Sequence, residues 1–152
     1  MRVTHTIIGF TVGLIVYYWI QNGYESLTLC LVLGSFFGVY PDFDFYLSRK
    51  LHRSWVSHSF FTAVFSMIIL YTVFMFFSRL QPYAFLGSVV AFLATLSHIL
   101  SDMLTNYGVP LLWPIRRKRI SLTPINSVNR ALNTISIMVC LFFIYRTIML
   151  IS

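Results

Sequence analysis

Acidic residues and histidines are scarce in this chain: His5, Glu25, Asp42, Asp44, His52, His58, His98 and Asp102 are the complete set. Imidazole nitrogens and carboxylate oxygens are the donor atoms that divalent metals take when no thiolate is offered. In Ser97-His98-Ile99-Leu100-Ser101-Asp102 the His and Asp are four residues apart. On a helix they share one face and can chelate a single ion. Ser101 and Thr105 continue that polar stripe. In Tyr40-Pro41-Asp42-Phe43-Asp44 the carboxylates are two apart. An extended segment after the proline points both the same way, and a helical one turns them apart. His5, Gly9 and Gly13 share a helix face, where the glycines allow close packing while the imidazole is presented. Gly34 and Gly38 offer a second segment the same close contact. Each piece also has an ordinary structural role. A lone His at a helix end serves as a cap or interfacial group, and Asp42 after a proline can cap a helix. Asp102 can form an ion pair with Arg53 or Arg116.

These residues need elements that bring them together, and composition says which kind. Of 152 residues 58% are apolar and only 10% charged, with a mean hydropathy of +0.80. A soluble domain of this size cannot hide so many apolar side chains, and a disordered chain is not this hydrophobic. The expected class is an all-α integral membrane protein, one domain over 1–152, built as a bundle of about five transmembrane helices with two longer cytoplasmic loops. The apolar segments run over 5–21, 26–40, 57–78, 83–104 and 131–151, and the second is the shortest. All five prolines lie outside their interiors. Cys30 and Cys140 sit within apolar runs and have no metal or redox spacing. Arg2 and the apolar residues after it lack a small-x-small cleavage site, so the N-terminus is expected to be retained.

Five spans put the termini on opposite faces. Arg2, Arg49, Lys50, Arg53, Arg116, Arg117, Lys118, Arg119 and Arg130 then share the N-terminal side, which the positive-inside rule makes cytoplasmic in the cell inner membrane. Both long loops, 41–56 and 105–130, fall on that side. Seven of the eight acids and histidines fall there too, and Glu25 is the exception. Ionisable groups at membrane depth read as functional, and four helix ends converging with His and Asp suggest a metal site. The basic run Arg116-Arg117-Lys118-Arg119 reads as a topology anchor on anionic headgroups, with a phosphate clamp as the sharper alternative. The positive charge points to a bilayer partner rather than to direct nucleic-acid binding.

Taken in order, Thr4-His5, Tyr40-Pro41-Asp42-Phe43-Asp44, His52-Arg53 with Ser57-His58-Ser59, and His98 through Gly108 resemble the YdjM-type family of small inner-membrane proteins, over about residues 4–115. That family is described as LexA-binding or LexA-regulated metal-dependent hydrolases. The resemblance implies a metal site on these motifs. No acidic residue follows Asp102, so a late carboxylate ligand is missing here.

The expected activity is therefore metal-dependent hydrolysis at the cytoplasmic membrane surface, on a lipid or lipid-linked phosphoester arriving laterally. His and Asp without thiolate suit zinc or manganese, with iron behind them and magnesium less suited. Seven candidate ligands exceed the needs of one ion, so either two ions bind or some residues act behind the ligands. His5, Asp42, His98 and Asp102 are the expected ligands, with His58 as a further one. Asp44 and His52 are expected to hold a second metal or shuttle protons, and Arg53 to stabilise a developing anion. Ser101 and Asn106 are expected to support the ligands. A serine-nucleophile hydrolase on Ser57, Ser59 or Ser101 lacks the nucleophile-elbow pattern. The rivals from other classes are a metal or proton transporter, which should line a path with ionisable groups, and a non-catalytic membrane regulator with a structural metal.

Overall fold

Lipid offers no hydrogen bonds to the backbone, so a chain this apolar satisfies its own amides as helices. The computed structural model describes residues 2–20, 23–47, 53–126 and 128–151. Its helices are α1 (Arg2–Ile20), α2 (Gly23–Val39), α3 (Asp44–Leu47), α4 (Phe60–Phe76), α5 (Ala84–Met103) and α6 (Arg130–Ile151). Tight 3-10 turns over Tyr40–Phe43 and Gln81–Tyr83 lead into α3 and α5. Among the described residues the only β pairing is a single antiparallel bridge, Val109 to Ile120.

Four helices have the length and apolarity to cross a membrane: Arg2–Ile20, Glu25–Phe43, Gln81–Met103 and Arg130–Leu150. The remaining expected span, 57–78, is shorter than its apolar run, because α4 covers only Phe60–Phe76, 17 residues. That is the lower limit for crossing. Local chemistry trims it at both ends. Ser59 and Thr62 form a capping box that starts the helix after His58, and Phe77 turns extended at the other end. The shortest expected segment, by contrast, is lengthened by the turn that follows it.

Helices α1 and α2 run antiparallel through glycines. Gly9 lies against the Gly34 carbonyl, Gly13 against that of Cys30, and Gly38 against that of His5. With no Cβ between them the backbones touch, as small residues allow in lipid. Helix α5 packs across both, α4 packs on α5, and α6 packs on α1. One apolar cluster joins Val16, Tyr17, Cys30, Leu86 and Val90, and a second joins Ala63, Ile99 and Val109. Exposed Phe65, Ile69, Phe76, Phe142, Phe143 and Tyr145 on α4 and α6 are the surface that lipid covers.

Chain direction alternates from helix to helix, so the start of α1, the ends of α2 and α5 and the starts of α4 and α6 gather at one end of the bundle. Thr4 Oγ1 bonds Asn133 Oδ1 at 3.0 Å there, joining the beginnings of α1 and α6. At the other end Tyr83 donates to Glu25 at 2.8 Å. The loop after α5 folds over the first end. The Phe60 amide donates to the Leu111 carbonyl at 2.9 Å, Trp55 stacks on Trp113 with ring centroids 3.7 Å apart, and Ser121 donates to the Thr105 carbonyl at 2.6 Å.

Candidate metal centre

Four side chains from three stretches of chain meet at that end. Asp42 comes from the 3-10 turn after α2, His58 from the segment before α4, and His98 and Asp102 from the last turns of α5. One ligand atom from each lies within 4.8 Å of the other three. All four are buried, His58 and His98 completely. His58 Nε2 is 3.2 Å from His98 Nε2 and 3.3 Å from Asp102 Oδ2. His98 Nε2 is 3.8 Å from Asp42 Oδ1 and 3.9 Å from Asp102 Oδ2. The pair four residues apart on α5 does share one face.

The protons around these atoms are few. His98 Nδ1 donates to the Gly38 carbonyl at 2.7 Å, so a neutral His98 carries a bare lone pair on Nε2. The Ser57 hydroxyl donates to Asp44 Oδ2. Ser57 Oγ can therefore accept from His58 Nδ1, 2.9 Å away, while His58 Nε2 is turned to His98 Nε2 and Asp102 Oδ2. Asp102 Oδ2 is buried with no hydrogen-bond partner. Two imidazole nitrogens and a carboxylate oxygen thus face one another, an arrangement that calls for a proton or a cation among them. Burial opposes a charge on His58, but Asp102 and Asp44 more than offset it and raise its pKa above the ordinary histidine value. The four residues could hold a metal ion that would satisfy these atoms together. Tetrahedral bonds of about 2.0–2.2 Å need donors about 3.3–3.6 Å apart, and the separations above run from 3.2 to 3.9 Å. Both histidines also have their second nitrogen anchored, as metal-bound imidazoles do.

The sequence-predicted His and Asp residues fall into three groups. Asp42, His58, His98 and Asp102 converge. His5 and Asp44 stand immediately behind them. His5 Nδ1 meets Ser101 Oγ at 3.0 Å, its Nε2 is 3.5 Å from Asp102 Oδ1, and its ring lies 4.1 Å from that of His98. Its nitrogens thus engage Ser101 and one side of Asp102 rather than the four converging atoms. His52 lies outside the described residues.

Of the two shapes open to the Tyr40–Asp44 segment, the helical one is taken, with Pro41 in the first turn of a 3-10 helix, where its missing amide costs nothing. Asp42 and Asp44 therefore diverge, Asp42 toward His98 and Asp44 toward Ser57 and His58. Arg53, expected to meet a developing anion, is buried and already committed. It donates to Asp102 Oδ1 and to Thr105 Oγ1, each at 2.8 Å, and its guanidinium carbon lies 5.6 Å from the Tyr107 ring centroid. This is the Arg53–Asp102 ion pair weighed as the ordinary reading of Asp102. Ser101 supports a site residue, His5, but Asn106 is exposed and lines a shallow surface pocket with Ser121 and Thr123. Two contributors escaped sequence reading: the Gly38 carbonyl, legible only as a packing position, and Ser57, noticed only as a serine beside a histidine.

The model of the YdjM inner membrane protein family matches residues 1–151. No curated protein and no solved structure matches the chain.

Proposed function

The chain belongs to the YdjM inner membrane protein family, and from that premise we propose that it is a metal-dependent hydrolase with its His/Asp centre at the cytoplasmic end of the bundle. The observation that carries the metal is the convergence of ligand atoms from Asp42, His58, His98 and Asp102, with Asp102 Oδ2 buried and unpartnered among them. Zinc or manganese suits two imidazoles and two carboxylates, and one ion accounts for the four converging atoms. Such an ion supplies Lewis acidity and lowers the pKa of a water in contact with it. The protein's own part is orientation and charge. The Gly38 carbonyl aims His98, Ser57 aims His58, and Arg53 neutralises the side of Asp102 turned away from the cluster. His5 beside Asp102 is placed to hold or pass a proton. A lipid or lipid-linked phosphoester would approach laterally, and the exposed Arg116, Arg117 and Lys118 suit anionic headgroups.

The near-complete burial of the ligands favours a second reading, a structural ion in a non-catalytic regulator. Transport is favoured less, because among the described residues no His, Asp or Glu lies between this cluster and Glu25 at the far end. The purified protein, loaded with zinc or manganese, is expected to bind the ion and to hydrolyse p-nitrophenyl phosphate, its bis ester or phosphatidic acid in mixed micelles. A chelator should stop turnover. Metal-dependent thermal stability with no hydrolysis of any of these would favour the structural ion.

Orientation has its own check. A cysteine at position 117, in the exposed basic run, should react with an impermeant maleimide in inside-out vesicles and be protected in spheroplasts. Cys30 and Cys140 are buried and add little background. Labelling from the outside would reverse the topology.

A further inference from the structure

We infer that Asp44 is the positioning residue of this centre, acting through Ser57 on His58 and through the Arg53 backbone on Asp102. The inference rests on reading the four-residue cluster as a metal site. It replaces the sequence-based expectation that Asp44 binds a second metal or shuttles protons.

Asp44 is buried, and its Oδ2 serves both arms of the centre. It accepts the Ser57 hydroxyl proton and the Arg53 backbone N–H, the latter at 3.0 Å. Consider first the histidine arm. Ser57 Oγ has other acceptors within reach, the Ser54 hydroxyl at 3.3 Å and the Ser54 carbonyl at 3.4 Å. It can also turn its proton toward His58 Nδ1, which is 2.9 Å away. That last choice would make Nδ1 the acceptor and put the imidazole proton on Nε2, the atom that faces His98 and Asp102. An ionised Asp44 outbids these partners because a bond to a carboxylate is about twice as strong as a neutral one. The hydroxyl direction, and with it the His58 tautomer, follows from Asp44.

The carboxylate arm depends on the same oxygen. Arg53 has φ +57°, a left-handed backbone that a residue with a Cβ adopts only when its surroundings impose it. The bond from its N–H to Asp44 Oδ2 is one such constraint. In that conformation the guanidinium reaches Thr105 and takes Asp102 Oδ1. Asp102 is thereby left with Oδ2 alone facing the two Nε2 atoms. One carboxylate that donates no atom to the cluster thus sets the tautomer of one ligand and the free oxygen of another.

The test titrates manganese and zinc into the full-length protein in detergent and compares it with Asp44→Asn, Ser57→Ala, Ser57→Thr and Asp44→Asn/Ser57→Ala. Stoichiometry and melting temperature are followed for each. The expected result is one ion per chain, with affinity lowered about 10–100-fold by Ser57→Ala and at least as much by Asp44→Asn. The double variant should be no weaker than Asp44→Asn, since the two residues act in series. Ser57→Thr, which keeps the hydroxyl, should stay close to wild type. Wild-type affinity in Ser57→Ala overturns the inference, as does a fall from two ions to one in Asp44→Asn. If Asp44→Asn does not assemble, the Ser57→Ala and Ser57→Thr pair decides the outcome. A wild-type protein that binds neither metal overturns the metal-site reading itself, a result distinct from tight binding with indifferent variants.

Discussion

Replacing Asp102 with Asn is expected to cost both metal binding and stability, and the two losses have separate causes. The amide keeps the shape but removes the charge that Oδ2 turns toward His58 and His98. Loss of a residue behind a ligand already costs about 10–100-fold in metal affinity, so loss of the ligand itself should cost at least about a hundredfold. On its other side Asp102 neutralises Arg53, which is 4% exposed. Removing one partner of a buried ion pair costs about 3–5 kcal/mol, and the Asn oxygen still accepts a hydrogen bond, so the loss should sit near about 3 kcal/mol. Asp42→Asn separates the two effects. Asp42 faces His98 at 3.8 Å and, among the described residues, has no buried guanidinium as its partner. Its loss should weaken metal binding while costing the metal-free protein less than the about 3 kcal/mol expected for Asp102→Asn. Calorimetric metal titration and thermal melts in detergent read both quantities. Destabilisation of Asp102→Asn with unchanged metal affinity would make Asp102 an ion-pair residue only.

The same residue shows how far sequence carries the reading. That His98 and Asp102 share a face follows from their spacing on a helix. That they meet Asp42 and His58 follows from alternating spans, which return the ends of α2 and α5 and the start of α4 to one side. Both inferences use periods fixed by backbone geometry. Which imidazole comes closest does not follow from periods. His5 opens α1 and was expected to ligate, whereas His58 was placed second. The order depends on side-chain reach across packed helices, and His5 engages Ser101 and the Asp102 oxygen that Arg53 also holds. The shape of the Tyr40–Asp44 segment was left open for a similar reason. A proline after an apolar run allows either an extended exit or a 3-10 turn, and only tertiary packing selects between them. The role of Ser57 was beyond sequence reach, because it depends on Asp44, thirteen residues away.

Gly9→Ala should have the largest effect of any single methyl added away from the cluster. A Cβ at Gly9 would lie 2.1 Å from the Gly34 carbonyl oxygen and 2.8 Å from Gly38 Cα. Both are backbone atoms of α2 and its C-terminal turn, so no rotamer change relieves the clash and α1 must separate from α2 by about 1 Å or more. Overpacking of this kind costs about 1–3 kcal/mol, with the upper figure expected when backbone must move. Gly87→Ala is the internal comparison. Its Cβ would meet Phe74 Cε2 at 2.9 Å and Leu33 Cδ1 at 3.2 Å, both side-chain atoms able to give way, so a cost near about 1 kcal/mol is expected. The two variants should also differ in function. Gly38, pressed directly by the Gly9 methyl, supplies the carbonyl that orients His98, and Asp42 follows four residues later. Displacing that stretch pulls two contributors away from the cluster at once. Gly9→Ala should therefore lose metal affinity as well as melting temperature, and Gly87→Ala should keep its metal. Equal melting temperatures for the two variants would mean that the glycine contact does not hold α1 and α2 at this spacing. Wild-type metal affinity in a destabilised Gly9→Ala would mean that the cluster is positioned from α5 alone.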